Sequence, residues 1–181
     1  MDELVAEVLR LDGLRQAVFR TALAEQAQPI LASSKDYQYA VRAMELCWRW
    51  IEYRDVAGDT LYDAYCNDED FGVAPSMLIA FDYDPFMGHA WGCIVGAVAY
   101  VAYCAFMEEG APVPEDVKND FPDEIVAWVV EHYYAAVESS SVPELLAGWL
   151  KEAVDNQLTQ SIANTKLEEW CVSDSALGGA K

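Results

Sequence analysis

A run of twenty residues without a charged side chain, 88–107, constrains the fold of this chain more than any other feature. Such a run is long enough for a helix that crosses a membrane or passes through a protein core. It is rich in Ala, Gly, Cys and Tyr, and acidic residues flank both of its ends. Membrane spans are normally dominated by larger aliphatic residues, and basic residues near one end set their orientation. The sequence therefore predicts a buried central helix and no membrane association.

Three glycines recur at intervals of four residues in this run, at Gly88, Gly92 and Gly96. Residues four apart share one face of a helix, and glycine lets the backbone of a neighbouring helix come close to that face. The spacing predicts that other helices pack tightly there. Because these glycines lie inside a helix, they do not form a loop that binds a nucleotide phosphate.

Helical periodicity extends over the rest of the chain, without a convincing strand pattern. At 181 residues the chain suits one domain, and no linker divides it. We predict a single all-α domain over 1–181, a helical bundle of about six to eight helices around the central apolar helix, with 172–181 as a frayed tail. The predicted helices are 2–12 with Gly13 as C-cap, about 14–27, one that starts in Ser33-Ser34-Lys35-Asp36 and ends near Arg54 to Asp55, 60–65, about Pro85 to Glu109, one starting at Phe121-Pro122, and Ser141 to about Thr165. The apolar piece 76–81 suits a helix or a strand.

Negative charge is concentrated in the middle of the chain. The net charge is −20, and no Lys or Arg lies between Arg54 and Lys118, whereas that stretch holds twelve Asp and Glu residues. A field of this sign attracts basic partners and repels nucleic acid. We therefore predict a basic protein partner and no direct nucleic-acid binding. Mimicry of nucleic acid toward a basic groove, or a surface that only aids solubility, are alternatives.

The cysteines and the first residues of the chain bear on its location. Five cysteines, an odd number, occur without CxxC spacing, and the chain opens Met-Asp-Glu-Leu without the basic and apolar regions of a signal peptide. Reduced cysteines in a cytoplasmic protein are the expectation.

No pattern typical of catalysis or of a bound metal or cofactor is found. The two histidines, His89 and His132, lie on different predicted helices. Cys93 follows His89 by one helical turn, so a Cys–His nucleophile pair is conceivable, although a hydrogen-bonding role for His89 is the simpler interpretation. A calcium loop starting at Asp68 would need Gly at position 6 and Glu at position 12, but Gly lies at position 5 and Ile79 at position 12. We predict no catalytic residue, no metal site and no cofactor.

Aromatic residues alternate with carboxylates between residues 59 and 86, a composition that recurs in protein interfaces. Alternatively, these aromatics fix an irregular segment to the core. The predicted partner-binding residues are Asp59, Asp63, Asp68, Glu69, Asp70, Phe71, Asp82, Tyr83 and Asp84.

Several short motifs resemble an all-α family of immunity proteins from bacterial polymorphic toxin systems. They are Cys47-Trp48-Arg49-Trp50-Ile51-Glu52, Gly58-Asp59-x-Leu61-Tyr62, Trp91-x-Cys93-Ile94, Ala99-Tyr100-Val101, and the proline-led helix starts at Pro114 and Pro122. The resemblance covers about residues 36–135. It implies a cytoplasmic protein that binds and neutralises a cognate toxin domain without catalysis, and an acidic surface would match a basic groove of that toxin.

Two other functions stay open. One is a helical adaptor or scaffold module that binds another basic protein. The other is a small enzyme whose site is built from carboxylates and His89.

Overall fold

Ten α-helices and two short 3-10 helices account for most of the residues that the computed structural model describes, namely 1–66, 72–119, 122–137 and 141–178. No strand occurs within these ranges, so the predicted all-α single domain is confirmed. The α-helices are α1 (Asp2–Val8), α2 (Gly13–Ala27), α3 (Tyr37–Tyr53), α4 (Gly58–Tyr65), α5 (Val73–Tyr83), α6 (Pro85–Glu109), α7 (Glu115–Asn119), α8 (Pro122–Ala136), α9 (Val142–Glu152) and α10 (Gln160–Gly178). The ambiguous piece 76–81 is part of α5.

The central apolar helix has the predicted bounds. It begins with Pro85 in its first turn and ends at Gly110, whose φ of 67° is the left-handed conformation that glycine adopts readily at a helix end. Within the described residues, α6 is the helix long and apolar enough to cross a membrane, and 83% of its most apolar stretch is buried by the other helices. Helices α2, α3, α4, α5 and α8 pack around it. It therefore forms the centre of the core.

The glycine face of α6 lets two neighbours approach closely, as predicted. A Cβ atom at Gly88 would lie 2.6 Å from the ring of Phe81 on α5, and one at Gly92 would lie 2.6 Å from the ring of His132 on α8. At Gly96 the added atom would overlap the Val129 side chain. Because residue numbers rise along α6 while they fall along its partners, α5 and α8 both run antiparallel to α6.

Two predicted helix boundaries are wrong. Gly13 is the first residue of α2 and not the C-cap of α1; Asp12 caps α2, because its side chain accepts a hydrogen bond from the Arg15 backbone N–H at 2.9 Å. The predicted helix from Ser141 to Thr165 is divided into α9 and α10. The Arg15 guanidinium donates to the carbonyl oxygens of Leu150 and Ala153 at 3.1 and 2.7 Å, which satisfies acceptors at the end of α9. With this break and the short helix α7, the described ranges hold ten α-helices, more than the predicted six to eight.

The Glu25 carboxylate joins three helices. One of its oxygens accepts from Trp48 Nε1 on α3 at 2.6 Å, and the other accepts from Gln160 Nε2 and Asn164 Nδ2 on α10. Hydrogen bonds to a charged group are stronger than those between neutral groups. The carboxylate therefore fixes the start of α10 against α2 and α3.

Candidate functional site

An exposed cluster of apolar and acidic side chains lies where α5 ends and α6 begins. We call this cluster the α5–α6 corner. It contains two large aliphatic residues, two aromatic residues and two carboxylates, all exposed: Leu78, Ile79, Asp82, Tyr83, Asp84 and Phe86. Tyr83 is 85% exposed and Leu78 is 66% exposed, values unusual for such large apolar side chains. A group of this kind on a protein surface is typical of a binding site.

Asp84 determines the turn between the two helices. Its backbone is extended, and its side-chain Oδ1 accepts hydrogen bonds from the N–H groups of Phe86 and Met87 at 3.1 and 3.3 Å. A carboxylate at this position also interacts favourably with the positive end of the α6 dipole. Tyr83 precedes this cap in the sequence and Phe86 follows it, and both side chains are exposed to solvent. Asp82 makes no hydrogen bond or ion pair within the described parts of the chain, so its charge faces solvent.

A cleft of about 410 Å³ opens next to the corner, between α5 and α8. Its floor consists of small residues of α6, and its walls are mainly apolar side chains. The lining residues are Tyr65, Ala74, Met77, Leu78, Val95, Gly96, Ala99, Glu124, Ile125 and Trp128. Leu78 belongs both to the cleft and to the corner, so the two features form one continuous surface.

Two histidines meet beside this cleft. His89 on α6 and His132 on α8 have their Nδ1 atoms 2.8 Å apart, and the edge of Trp128 packs on the His132 ring. Phe81 of α5 contacts both imidazoles. Burial, and then the neighbouring His89, lower the pKa of His132 to about 4. His132 is therefore neutral near pH 7.

The environment of Cys93 does not suit the Cys–His nucleophile pair that the sequence left as an alternative. Cys93 is fully buried, its Sγ lies 4.0 Å from the Val129 carbonyl oxygen as a weak donor, and burial raises the pKa of its thiol. The reactive species would be the thiolate, which this environment disfavours. Within the described ranges, no three His, Cys, Asp or Glu side chains are grouped so that they could hold a metal ion.

The predicted partner-binding residues fall into separate groups. Asp82, Tyr83 and Asp84 lie together at the corner, whereas Asp59 and Asp63 lie exposed on α4. Gly58 packs near Phe106, close to the other end of α6, while the corner adjoins Gly88. At about 1.5 Å per residue, these two places are separated by roughly 27 Å along α6. The remaining predicted residues, Asp68, Glu69, Asp70 and Phe71, lie outside the described residues.

Part of the acidic middle serves the fold. Glu109 accepts a hydrogen bond from the Gly58 N–H at 2.8 Å, and Glu108 lies 3.3 Å from Arg54. Asp55 pairs with Arg49. Glu108 and Glu109 join α3 and α4 to the end of α6, and Asp55 pairs with a residue at the end of α3. Part of the acidic charge is therefore engaged in contacts within the chain.

Sequence reasoning missed the cleft and the two aliphatic residues beside it. Sequence patterns assign no function to Glu124 and Trp128, and they leave the piece around Leu78 and Ile79 open between helix and strand. The available signal was the Leu78-Ile79 pair one turn before Asp82-Tyr83, which puts all four side chains on one face of a helix.

Comparison with known protein families supports the resemblance noted from the motifs. A family model described as immunity protein Imm6 matches residues 15–136, about two thirds of the chain. The match extends from α2 to the end of α8 and so begins earlier than the 36–135 expected from the motifs. It includes the α5–α6 corner and the cleft. Neither a curated protein nor a solved structure matches the chain significantly.

Proposed function

Because the chain belongs to the Imm6 family of immunity proteins, we propose that it neutralises a cognate toxin by binding it through the α5–α6 corner. The binding is stoichiometric, and the complex blocks the toxin without chemical turnover. The family membership supports a role in immunity. The choice of surface depends on the exposed apolar and acidic residues of the corner.

The central observation is the exposure of Tyr83 beside Asp82. Aromatic side chains that lose their contact with water on binding carry much of the affinity of protein complexes. Tyr83 has a large apolar ring and a polar hydroxyl, and it projects from the last residue of α5. Leu78 and Ile79 on the same helix face extend the apolar area. Exposed apolar patches rimmed by polar residues are typical of surfaces that a partner protein covers.

Charge determines the kind of partner. Between Arg54 and Lys151 the chain has one Lys or Arg, Lys118, so α4, α5, α6 and α8 carry neither residue type. Opposite charges accelerate association, and apolar contacts slow dissociation. A toxin domain with a basic surface, such as a groove that binds a nucleic acid or a nucleotide, matches this corner. We propose that this protein resides in the cytoplasm, where it would bind a toxin that acts inside the cell.

A non-catalytic mode of action agrees with the chemistry of the histidines and Cys93. The Nδ1 atoms of His89 and His132 are occupied by each other, and burial of Cys93 keeps its thiol protonated. Neither arrangement provides an activated nucleophile.

The test starts from the partner itself. Tagged protein captures its partner from native lysate at low and high salt, mass spectrometry identifies it, and the captured toxin domain is then expressed in bacteria with and without this chain. We expect co-expression to restore growth, and we expect Tyr83→Ala to weaken binding by about ten- to a hundredfold. Tyr53→Ala is the matched control, since Tyr53 is also an exposed helical tyrosine, 67% exposed, but lies at the opposite end of α6.

Two results would contradict the proposal. If co-expression leaves the toxin fully active, the chain is not its immunity protein. If Tyr83→Ala and Tyr53→Ala bind the toxin equally well, another surface makes the contact.

A further inference from the structure

We propose that the cleft between α5 and α8 holds one apolar side chain of the toxin, and that Glu124 pairs with a basic residue next to that side chain. This inference rests on the proposed function, which it deepens by naming what enters the cleft. The occupant is thus an apolar residue with an adjacent Lys or Arg on the toxin surface.

The size and lining of the cleft suit an apolar side chain. Its volume of about 410 Å³ is near the lower end of small binding pockets. Gly96 and Ala99 form a floor with little side-chain bulk, while Met77, Ile125 and Trp128 supply apolar walls. Methionine and tryptophan are both common where a pocket adapts to an inserted side chain. An inserted aromatic or aliphatic side chain would contact apolar atoms on three sides.

Glu124 gives the cleft its charge. It is the one charged residue that lines the cleft, it is exposed, and within the described part of the chain it makes no hydrogen bond or ion pair. The helices that form the walls carry no Lys or Arg that could neutralise it. A basic residue that approaches the rim therefore meets a carboxylate that has no partner among the described residues, and Asp82 at the neighbouring corner adds to the same field.

Continuity with the corner indicates that one partner covers both features. Leu78 lines the cleft and is also part of the exposed corner. Tyr83 lies just over one helical turn further along α5. A toxin surface in contact with Tyr83 and Leu78 is therefore adjacent to the open side of the cleft. A partner with one protruding side chain would bind at both places at once.

The composition of the cleft argues against a small molecule as the occupant. Sites for small molecules are also mostly apolar, but a small number of precisely placed polar groups fix the orientation of the ligand. Here Glu124 at the rim is the one charged side chain among the described residues that line the cleft. A protein side chain needs no such groups, because the rest of the toxin orients it.

The experiment fills the cleft and, separately, changes its charge. Ala74→Trp places a large side chain on the α5 wall, where Ala74 is partly exposed, and Glu124→Lys reverses the charge at the rim. We expect Ala74→Trp to weaken binding of the purified toxin domain at least tenfold. We expect Glu124→Lys to slow its association severalfold, more at low salt than at high salt. Met107→Ala, which changes an exposed apolar residue at the other end of α6, should leave binding unchanged.

Thermal unfolding of each variant shows whether the fold is retained, and Glu124→Lys stays informative if Ala74→Trp does not fold, because Glu124 is exposed. If folded Ala74→Trp and Glu124→Lys both bind the toxin within twofold of the parent while Tyr83→Ala binds weakly, the cleft proposal is wrong and the proposed function stands. If no variant, including Tyr83→Ala, affects toxin binding, the corner is wrong as well. A small molecule that native mass spectrometry detects on the parent but not on Ala74→Trp would also overturn the cleft proposal.

Discussion

His89 Nδ1 lies 2.8 Å from His132 Nδ1, so a hydrogen bond joins α6 to α8 across forty-three residues of sequence. One nitrogen must donate and the other must accept, so the two Nδ1 atoms cannot both be protonated while the bond exists. The Phe81 and Trp128 rings that pack on the pair limit its access to water. The pair is therefore a contact between α6 and α8 that is lost when both Nδ1 atoms carry a proton.

The pH dependence of stability should reveal this pair. The pKa of His132 is lowered from 6.5 to about 4, so the unfolded chain takes up a proton at a higher pH than the folded chain does. Above pH 6.5 both states are neutral there and stability is unaffected; between pH 6.5 and 4 the unfolded state gains the proton and stability falls. His132→Phe keeps an aromatic ring but cannot titrate. We expect its thermal midpoint to fall less than that of the parent between pH 7 and pH 4, and parallel curves for the two proteins would contradict the assignment.

Gly92→Ala should destabilise the protein, because the new Cβ would lie 2.6 Å from Cγ of His132 and force α6 and α8 apart. Overpacking of this kind costs about 1–3 kcal/mol. Gly148→Ala on α9 is the matched control, since its Cβ meets no atom within 4 Å. There the better helix propensity of alanine should stabilise by about 0.5–1 kcal/mol. Urea unfolding of both variants measures the difference, and equal effects would show that α8 does not approach Gly92 closely.

Glu25→Ala should loosen α10. The substitution leaves Trp48 Nε1 and the Gln160 and Asn164 side-chain amides without their shared acceptor, and each unpaired, partly buried donor costs about 1–3 kcal/mol. Hydrogen exchange measured by mass spectrometry should accelerate in peptides of α10 more than in those of α6. Glu45→Ala, which removes an exposed carboxylate from α3, serves as the control and should leave the exchange unchanged. Protection of α10 equal to that of the parent would mean that Glu25 does not hold it.

Charge reversal distinguishes the two acidic groups of the predicted partner-binding set. Asp82→Lys at the corner should slow association with the toxin and weaken its dependence on salt, because it reverses a charge next to Tyr83. Asp59→Lys makes the same change on α4, roughly 27 Å away along α6, and should have the smaller effect. Stopped-flow or surface-plasmon measurements of the association rate at two salt concentrations compare them. A larger effect of Asp59→Lys would show that the toxin binds at α4 and not at the corner.

The sequence predicted those helices whose ends carry local signals. Pro85 and Gly110 mark the limits of α6, and the amphipathic period of α3 continues to its C-cap at Arg54. The break between α9 and α10 lacks a Gly or Pro between residues 152 and 160, and its local signals are weaker: the Asp155-Asn156 pair, and Thr159, whose Oγ1 accepts from the Ile162 N–H at 3.4 Å. Its stabilising partner, Arg15, is 135 residues away from Leu150. Local patterns contain no information about a contact at that separation.

The candidate site likewise has one part that local sequence predicted and another part that depends on how the helices pack. Asp82, Tyr83 and Asp84 were predicted because neighbours in sequence share charge and aromatic character. The cleft is formed by residues of four helices, and its width depends on how closely Gly96 allows α8 to approach. The pairing of His89 with His132 likewise needs the packed arrangement of α6 and α8. Distances between helices of this kind were accessible only from the folded chain.

The order of the helices along the chain has a consequence for synthesis on the ribosome. Helix α6 is made before α8, whose Val129 and His132 cover Gly96 and Gly92. Until residue 132 has left the exit tunnel, the nascent chain therefore presents an uncovered face of its most apolar helix. The final closure of the core must then be a late event in translation, and during that interval a chaperone that binds apolar segments has access to α6.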